Sequence, residues 1–140
     1  MSAADIVTKR IYEPPAATDG YRVLIMRLWP RGIRKERVDT WLKELGPVPT
    51  LLRDFLDERI TWAQYVPRYL AGLERSEAQE AIAEVRRRAR EGRVTLLCGC
   101  ADEERCHRSL LRAYLLDSAR ARPRSPRARA ARRPSRRRRA

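Results

Sequence analysis

The sequence is poor in the residues that do most chemistry. Among 140 residues there are three cysteines, one histidine, one phenylalanine and three lysines. The cysteines are odd in number and confined to residues 98–106, so they do not form the disulfide framework of a small secreted domain. No apolar run approaches the roughly 18 residues that a membrane-spanning helix needs. The first residues lack the basic-then-apolar order of a signal peptide. These absences set aside membrane and secreted classes, and a cytoplasmic protein with reduced, catalytic or metal-linked thiols is expected. Acid is missing as well: none follows Asp117, while 11 arginines lie between Arg120 and the end. The net charge of +14 is therefore mostly a property of the tail, since residues 1–119 carry 21 basic and 18 acidic groups. The expected organisation is one domain over 1–118, long enough for a single core, and a disordered basic tail over 119–140 with no apolar face to bury.

The body alternates strand and helix signals. Ile6–Tyr12 and Tyr21–Leu28 read as strands separated by the Pro14-Pro15 and Asp19-Gly20 turns, and Trp29-Pro30-Arg31-Gly32 stops the second. Val38, Trp41, Leu42 and Leu45 have the i, i+3, i+4, i+7 spacing of one helix face, with Gly46-Pro47 as the stop. Leu51, Leu52, Phe55 and Leu56 predict a short helix. Thr61 with Gln64, and Ser76 with Gln79, predict capping boxes before two longer ones, the first crossed by Pro67 and the second ended by Gly92. Val94–Leu97 predicts a strand entering Cys98-Gly99-Cys100, and Leu110, Leu111, Tyr114 and Leu115 predict a last helix. The fold class expected is α/β, a single small domain with a largely parallel sheet flanked by helices. Ligands of such sheets bind beyond the carboxyl ends of the strands, which here carry Arg27–Gly32 and Cys98–Arg108.

Arginine forks match phosphate and carboxylate geometry, which makes the group around Trp29-Pro30 a candidate anion site, against the alternative of surface pairing with Glu36 and Asp39. Cys106, near a helix start and beside His107 and Arg108, is a candidate thiolate, and His107 is the one residue able to act as an unperturbed acid or base near neutral pH. The alternative is that the cysteines are small core hydrophobes. Zinc knuckles usually space their ligands by two to four residues in turns, whereas here Cys98 and Cys100 are expected on opposite faces if the strand continues and Cys106 abuts His107, so no metal site is expected. A phosphatase-like loop is also set aside: Cys100 and Arg105 are separated by four residues, and Asp102, Glu103 and Glu104 would repel phosphate.

Asp19 to Gly32, with Lys35 and then Trp41-Leu42-Lys43-Glu44-Leu45-Gly46-Pro47, resembles the YeaO-like branch of the domain-of-unknown-function 488 family. The resemblance extends over most of residues 6–117, including Leu96-Leu97-Cys98 and Cys106-His107-Arg108-Ser109-Leu110-Leu111, which is similar to the wider family's signature of a cysteine, seven residues and Cys-His-Arg. It implies a compact bacterial α/β domain and assigns no reaction. Met26 stands where the family commonly has an aspartate, and many members of the branch replace both signature cysteines. Cys100 looks like an addition of this chain.

The reading that results is an enzyme-like domain whose strand ends bring Arg27, Arg31 and Arg108, holding a small anionic or nucleotide-type ligand, close to Cys98, Cys106 and His107. Cys106 would be nucleophile or redox thiol, Cys98 a second thiol and His107 a proton carrier. No cofactor is expected. The rival reading is a non-enzymatic nucleic-acid-associated protein that binds through residues 120–140. Deleting those residues is expected to abolish salt-sensitive, sequence-independent binding to nucleic acid in a fluorescence-anisotropy titration; binding unchanged by the deletion would place it on the body.

Overall fold

The computed structural model describes residues 5–117; the segment 119–140, read above as a disordered tail, lies outside them. Four strands, β1 (Ile6–Arg10), β2 (Tyr21–Leu24), β3 (Thr40–Trp41) and β4 (Val94–Cys98), form one sheet in the order β1-β4-β2-β3. Every neighbouring pair is parallel, so the α/β expectation holds. The helices are α1 (Pro49–Leu56), α2 (Trp62–Gly72), α3 (Ser76–Glu91) and α4 (His107–Leu116). No helix among the described residues is long and apolar enough to cross a membrane.

β4 is the middle of the sheet. Val94 lies opposite Ile6 and Tyr21, Leu97 opposite Lys9 and Leu24, and all five β4 residues are fully buried. A strand covered on both faces reads as a continuous apolar run, as Val94–Cys98 does apart from Thr95. Alternation sorts its side chains. Val94, Leu96 and Cys98 join Ile6, Val23 and Ile25 against the helices, where Tyr65, Tyr69, Ile82, Val85, Leu111 and Leu115 close the core. Leu97 faces the other way with Ile11 and Leu24, under Trp29, Ile33 and Val38 from the β2–β3 connection. Each fully buried aliphatic side chain of this kind contributes about 1.5–3 kcal/mol. The sheet thus has its helices on one face and a loop on the other.

The α2 capping box forms as expected, with Gln64 N donating to Thr61 Oγ1 (3.1 Å) and Thr61 N to Gln64 Oε1 (2.8 Å). The helix runs on through Pro67. The second box does not form: Arg75 is the N-cap of α3, and Gln79 Nε2 instead donates to Leu73 O (2.6 Å) and Tyr114 Oη (3.0 Å), tying α3 to the end of α2 and to α4. The helix expected over Val38–Leu45 is not there. Asp39 N donates to Arg22 O (2.8 Å) and Leu42 N to Leu24 O (2.9 Å), so this backbone is spent on pairing with β2 as the edge strand β3, followed by a 3-10 turn at Lys43–Leu45. Sheet hydrogen bonds override the periodic spacing. β1 and β2 also end earlier than expected, at Arg10 and Leu24, because β4 itself ends at Cys98; only Ile11 N to Cys98 O and Ile25 N to Leu97 O continue the ladder.

At the opposite, amino end of the sheet a single residue ties three strands. Asp19 accepts from Lys9 Nζ (3.0 Å), from Ala16 N (3.0 Å) and from Arg22 Nη1, and its carbonyl accepts from Thr95 Oγ1 (2.6 Å). The next residue, Gly20, has φ +67°, and a Cβ there would meet Arg93 O at 2.2 Å, so only glycine fits. Burial pushes the Asp19 carboxyl up, but the Ala16 amide, Lys9 and Arg22 outweigh it and hold it below its usual 3.8. Asp19→Asn is expected to destabilise the domain by roughly 3 kcal/mol at neutral pH, as loss of one partner of a buried charge pair does. A carboxyl held low contributes stability above its usual pKa, and that contribution disappears as pH falls through the lowered value. The difference between wild type and variant should therefore shrink in an acid series of urea melts; a constant difference would show that the charge is not what matters.

Candidate functional site

The carboxyl ends of β2 and β4 meet the start of α4. Cys98 ends β4 with its side chain on the helix side, and Cys106 is the N-cap of α4, its sulfur accepting from Arg108 N (3.5 Å). Between them the chain makes a 3-10 turn at Glu103–Arg105, fixed by Glu104 N on Asp102 Oδ1 (2.9 Å) and Ser109 Oγ on Glu103 O (2.6 Å). This brings Cys98 Sγ and Cys106 Sγ to 2.9 Å and Cys106 Sγ to 3.8 Å from His107 Nδ1. Cys100 completes the group: its amide donates to Cys98 Sγ (3.3 Å), and the three sulfurs and one imidazole nitrogen lie within 4.8 Å of one another. Cys98, Cys106 and His107 are buried, and Cys100 is half-buried.

His107 Nε2 is 2.6 Å from Ile25 O. A carbonyl only accepts, so Nε2 carries a proton and Nδ1 is the nitrogen that faces Cys106 Sγ. The ring lies 5.6 Å from that of Tyr69, whose hydroxyl donates to Leu45 O (2.7 Å). Burial, and then the neighbouring ionisable groups, hold the Tyr65 and Tyr69 hydroxyls neutral by raising their pKa values. The thiols titrate as a set. Hydrogen bonds from Cys106 and Cys98 favour the thiolate of Cys100 and lower its pKa, whereas donating to Cys100 raises both donors, Cys98 to about 12, with burial adding to the effect.

A family model described as the active DUF488-N3 subclade matches residues 6–119. The chain belongs to the DUF488 family. It is 35% identical over 114 residues to the uncharacterized protein YeaO of Escherichia coli K12, covering 79% of this chain and 96% of that one. It is 32% identical over 108 residues to the uncharacterized protein Rv3073c of Mycobacterium tuberculosis H37Rv, covering 76% and 89%. The YeaO-like resemblance is thereby borne out. No solved structure matches the chain.

In this DUF488 domain the expected residues fall into separate places. Cys98, Cys106 and His107 come together. Arg108 is buried (4% exposed) at the first turn of α4, with Nε and Nη1 taking no hydrogen-bond partner among the described residues. Arg27 is anchored through Nε to Gly46 O (3.1 Å) and lines a cleft of about 270 Å³ together with Glu44, Arg68, Tyr69 and Arg75. Arg31 is exposed, its carbonyl accepting from the Tyr12 hydroxyl (3.4 Å), and it does not line that cleft. Beside Arg27, Met26 O accepts from Trp41 Nε1 (2.6 Å).

Three residues of the site escaped the sequence reading. Cys100 was set apart as an addition, yet residues i and i+2 of an extended chain share a face, and that spacing is the signal that keeps its thiol with Cys98. Arg68 and Arg75 carry no signal, because exposed helical arginines are commonplace in this composition. The burial order predicts the order of alkylation: Cys100 should react with iodoacetamide first in the folded protein, and Cys98 and Cys106 only on unfolding, as peptide mass spectrometry would show. Early labelling of Cys98 or Cys106 would contradict the arrangement.

Proposed function

We propose that this DUF488 domain is enzyme-like and binds a small anionic ligand of phosphate or nucleotide type at the carboxyl ends of its strands. The observation that carries the reading is the cleft beside β2 into which Arg27, Arg68 and Arg75 all contribute. Arg27 is held by its Nε on Gly46 O, so its planar fork is fixed before any ligand arrives, and its terminal nitrogens have no partner among the described residues. Glu44 in the same lining favours a ligand that carries hydroxyl or amino donors beside its anionic group, as nucleotides and sugar phosphates do.

The position supports a working site rather than a surface patch. It lies beyond the ends of parallel strands, where open α/β sheets bind their ligands. Tyr69 is common to the cleft and to the thiol–imidazole group, lining the one and lying 5.6 Å from His107 in the other. In this reading Cys98, Cys106 and His107 form the reactive side of the site, with Cys100 its solvent-facing member, and Arg27 is the principal anion holder. The description of the matching family model as an active subclade agrees with an enzyme-like role.

Thermal denaturation of the full chain with inorganic phosphate, a nucleoside monophosphate or a sugar phosphate, at constant ionic strength, tests it. At about 100 times Kd a ligand adds about 2.7 kcal/mol, a rise of roughly 8–15 °C for a domain of this size. Arg68→Ala/Arg75→Ala, which alters only exposed side chains, should lose the rise. No rise with any of the three ligands sinks the proposal, and an equal rise in the double variant removes Arg68 and Arg75 from the anion site and counts against the cleft.

A further inference from the structure

We propose that Cys98, Cys100, Cys106 and His107 form a closed, four-ligand site for a zinc ion. The donor set is three thiolates and one imidazole, the composition of structural zinc sites, and it is supplied by the end of one strand and the start of one helix. Bonds of about 2.3 Å to sulfur and 2.0 Å to nitrogen place neighbouring donors of a zinc tetrahedron about 3.5–3.8 Å apart. The donors here lie between 2.9 Å (Cys98 to Cys106) and at most 4.8 Å apart, with Cys106 to His107 at 3.8 Å. The Cys98–Cys106 edge has to open by about 1 Å and any edge at the 4.8 Å limit has to close by a similar amount, which side-chain rotation supplies.

Three independent features prepare the site. Nε2–H of His107 is committed to Ile25 O, which fixes the tautomer and leaves Nδ1 as the ligand atom; a second hydrogen bond of this kind accompanies nearly all metal-bound imidazoles. Two backbone amides, of Cys100 and Arg108, already point at sulfur, on Cys98 and Cys106 respectively, and N–H groups so placed stabilise thiolate rather than thiol. Zinc with three thiolates carries a net charge of −1. The Arg108 guanidinium, two residues after Cys106 in sequence, is buried with two nitrogens lacking a hydrogen-bond partner among the described residues, a cation in the first turn of the helix whose start carries Cys106 and His107.

The ion is zinc rather than magnesium or calcium because the donors are soft and none is a carboxylate. With four protein ligands the site is closed, so it holds the end of β4 to α4, and loading it takes Cys98, Cys106 and His107 out of the reactive role, which belongs to the metal-free chain. The inference stands apart from anion binding in the Arg27 cleft, whose lining shares no residue with the four ligands.

The test uses the full chain, purified under reducing conditions and reconstituted with zinc, then with cobalt as a spectroscopic substitute. The expected results are about one zinc per chain by elemental analysis, an absorption spectrum of tetrahedral cobalt with thiolate charge transfer, and no uptake by Cys98→Ser/Cys106→Ser. Because that variant alters buried positions, Cys100→Ser at the half-buried one is the second arm: it should stay folded by circular dichroism and lose zinc affinity by at least about tenfold. Arg68→Ala/Arg75→Ala should keep its zinc whatever happens to its anion response. A folded, reduced chain that takes up less than about a tenth of an equivalent, an octahedral cobalt spectrum, or a Cys100→Ser variant with unchanged affinity would each overturn the site. A Cys98–Cys106 disulfide that forms in air and, once reduced, still leaves the chain unable to bind zinc would overturn it too, in favour of a redox pair.

Discussion

Everything in this domain hangs on the insertion of β4 between β1 and β2. Neither of those strands pairs with the other, so β1 receives its sheet hydrogen bonds, and β2 those on the side away from β3, from a segment that lies more than 70 residues further along the chain. The three intervening helices pack on the face that β4 completes with Val94, Leu96 and Cys98. Such long-range parallel pairing is reached late in folding, since the chain must close a large loop before the contacts compensate it. The Asp19 clamp at the amino end of the sheet holds the same three strands, joining Lys9, Arg22 and Thr95.

The chemistry is located by the same insertion. A middle strand that ends at Cys98 delivers its last side chain into the helix layer, and the short return through Glu103–Arg105 leaves Cys106 and His107 nowhere to go but beside it. Burial then sets what the cluster can be. Two of its sulfurs are closed off from solvent, which suits a held ion or a packed pair of thiols better than attack on a bulky substrate, and the arginine cleft offers the more open surface.

Much of the fold was legible because buried strands and amphipathic helices leave distinct periods. Val94–Leu97 could only be a covered strand, and Thr61 with Gln64 marked the start of α2 to the residue. Val38, Trp41, Leu42 and Leu45 misled for a physical reason: a two-residue edge strand followed by a 3-10 turn places apolar side chains at the same intervals as a helix, and nothing local reveals that the backbone is bonded to Arg22 and Leu24. For the site, the Cys-His-Arg run and Cys98 were found from residue type and position. Their convergence with Cys100 depends on a turn whose path the sequence does not state, and Arg68 and Arg75 were hidden in a chain where arginine is the ordinary surface residue.

The segment leaving β2 is held from three sides in three consecutive residues. Ile25 O takes the His107 imidazole, Met26 O takes the Trp41 indole, and Arg27 reaches Gly46 O. Fastened at every residue, this stretch has no slack. The imidazole at the head of α4 and the guanidinium in the cleft are therefore placed by the same three residues of backbone, although the thiol group and the arginine cleft share no ligand residue.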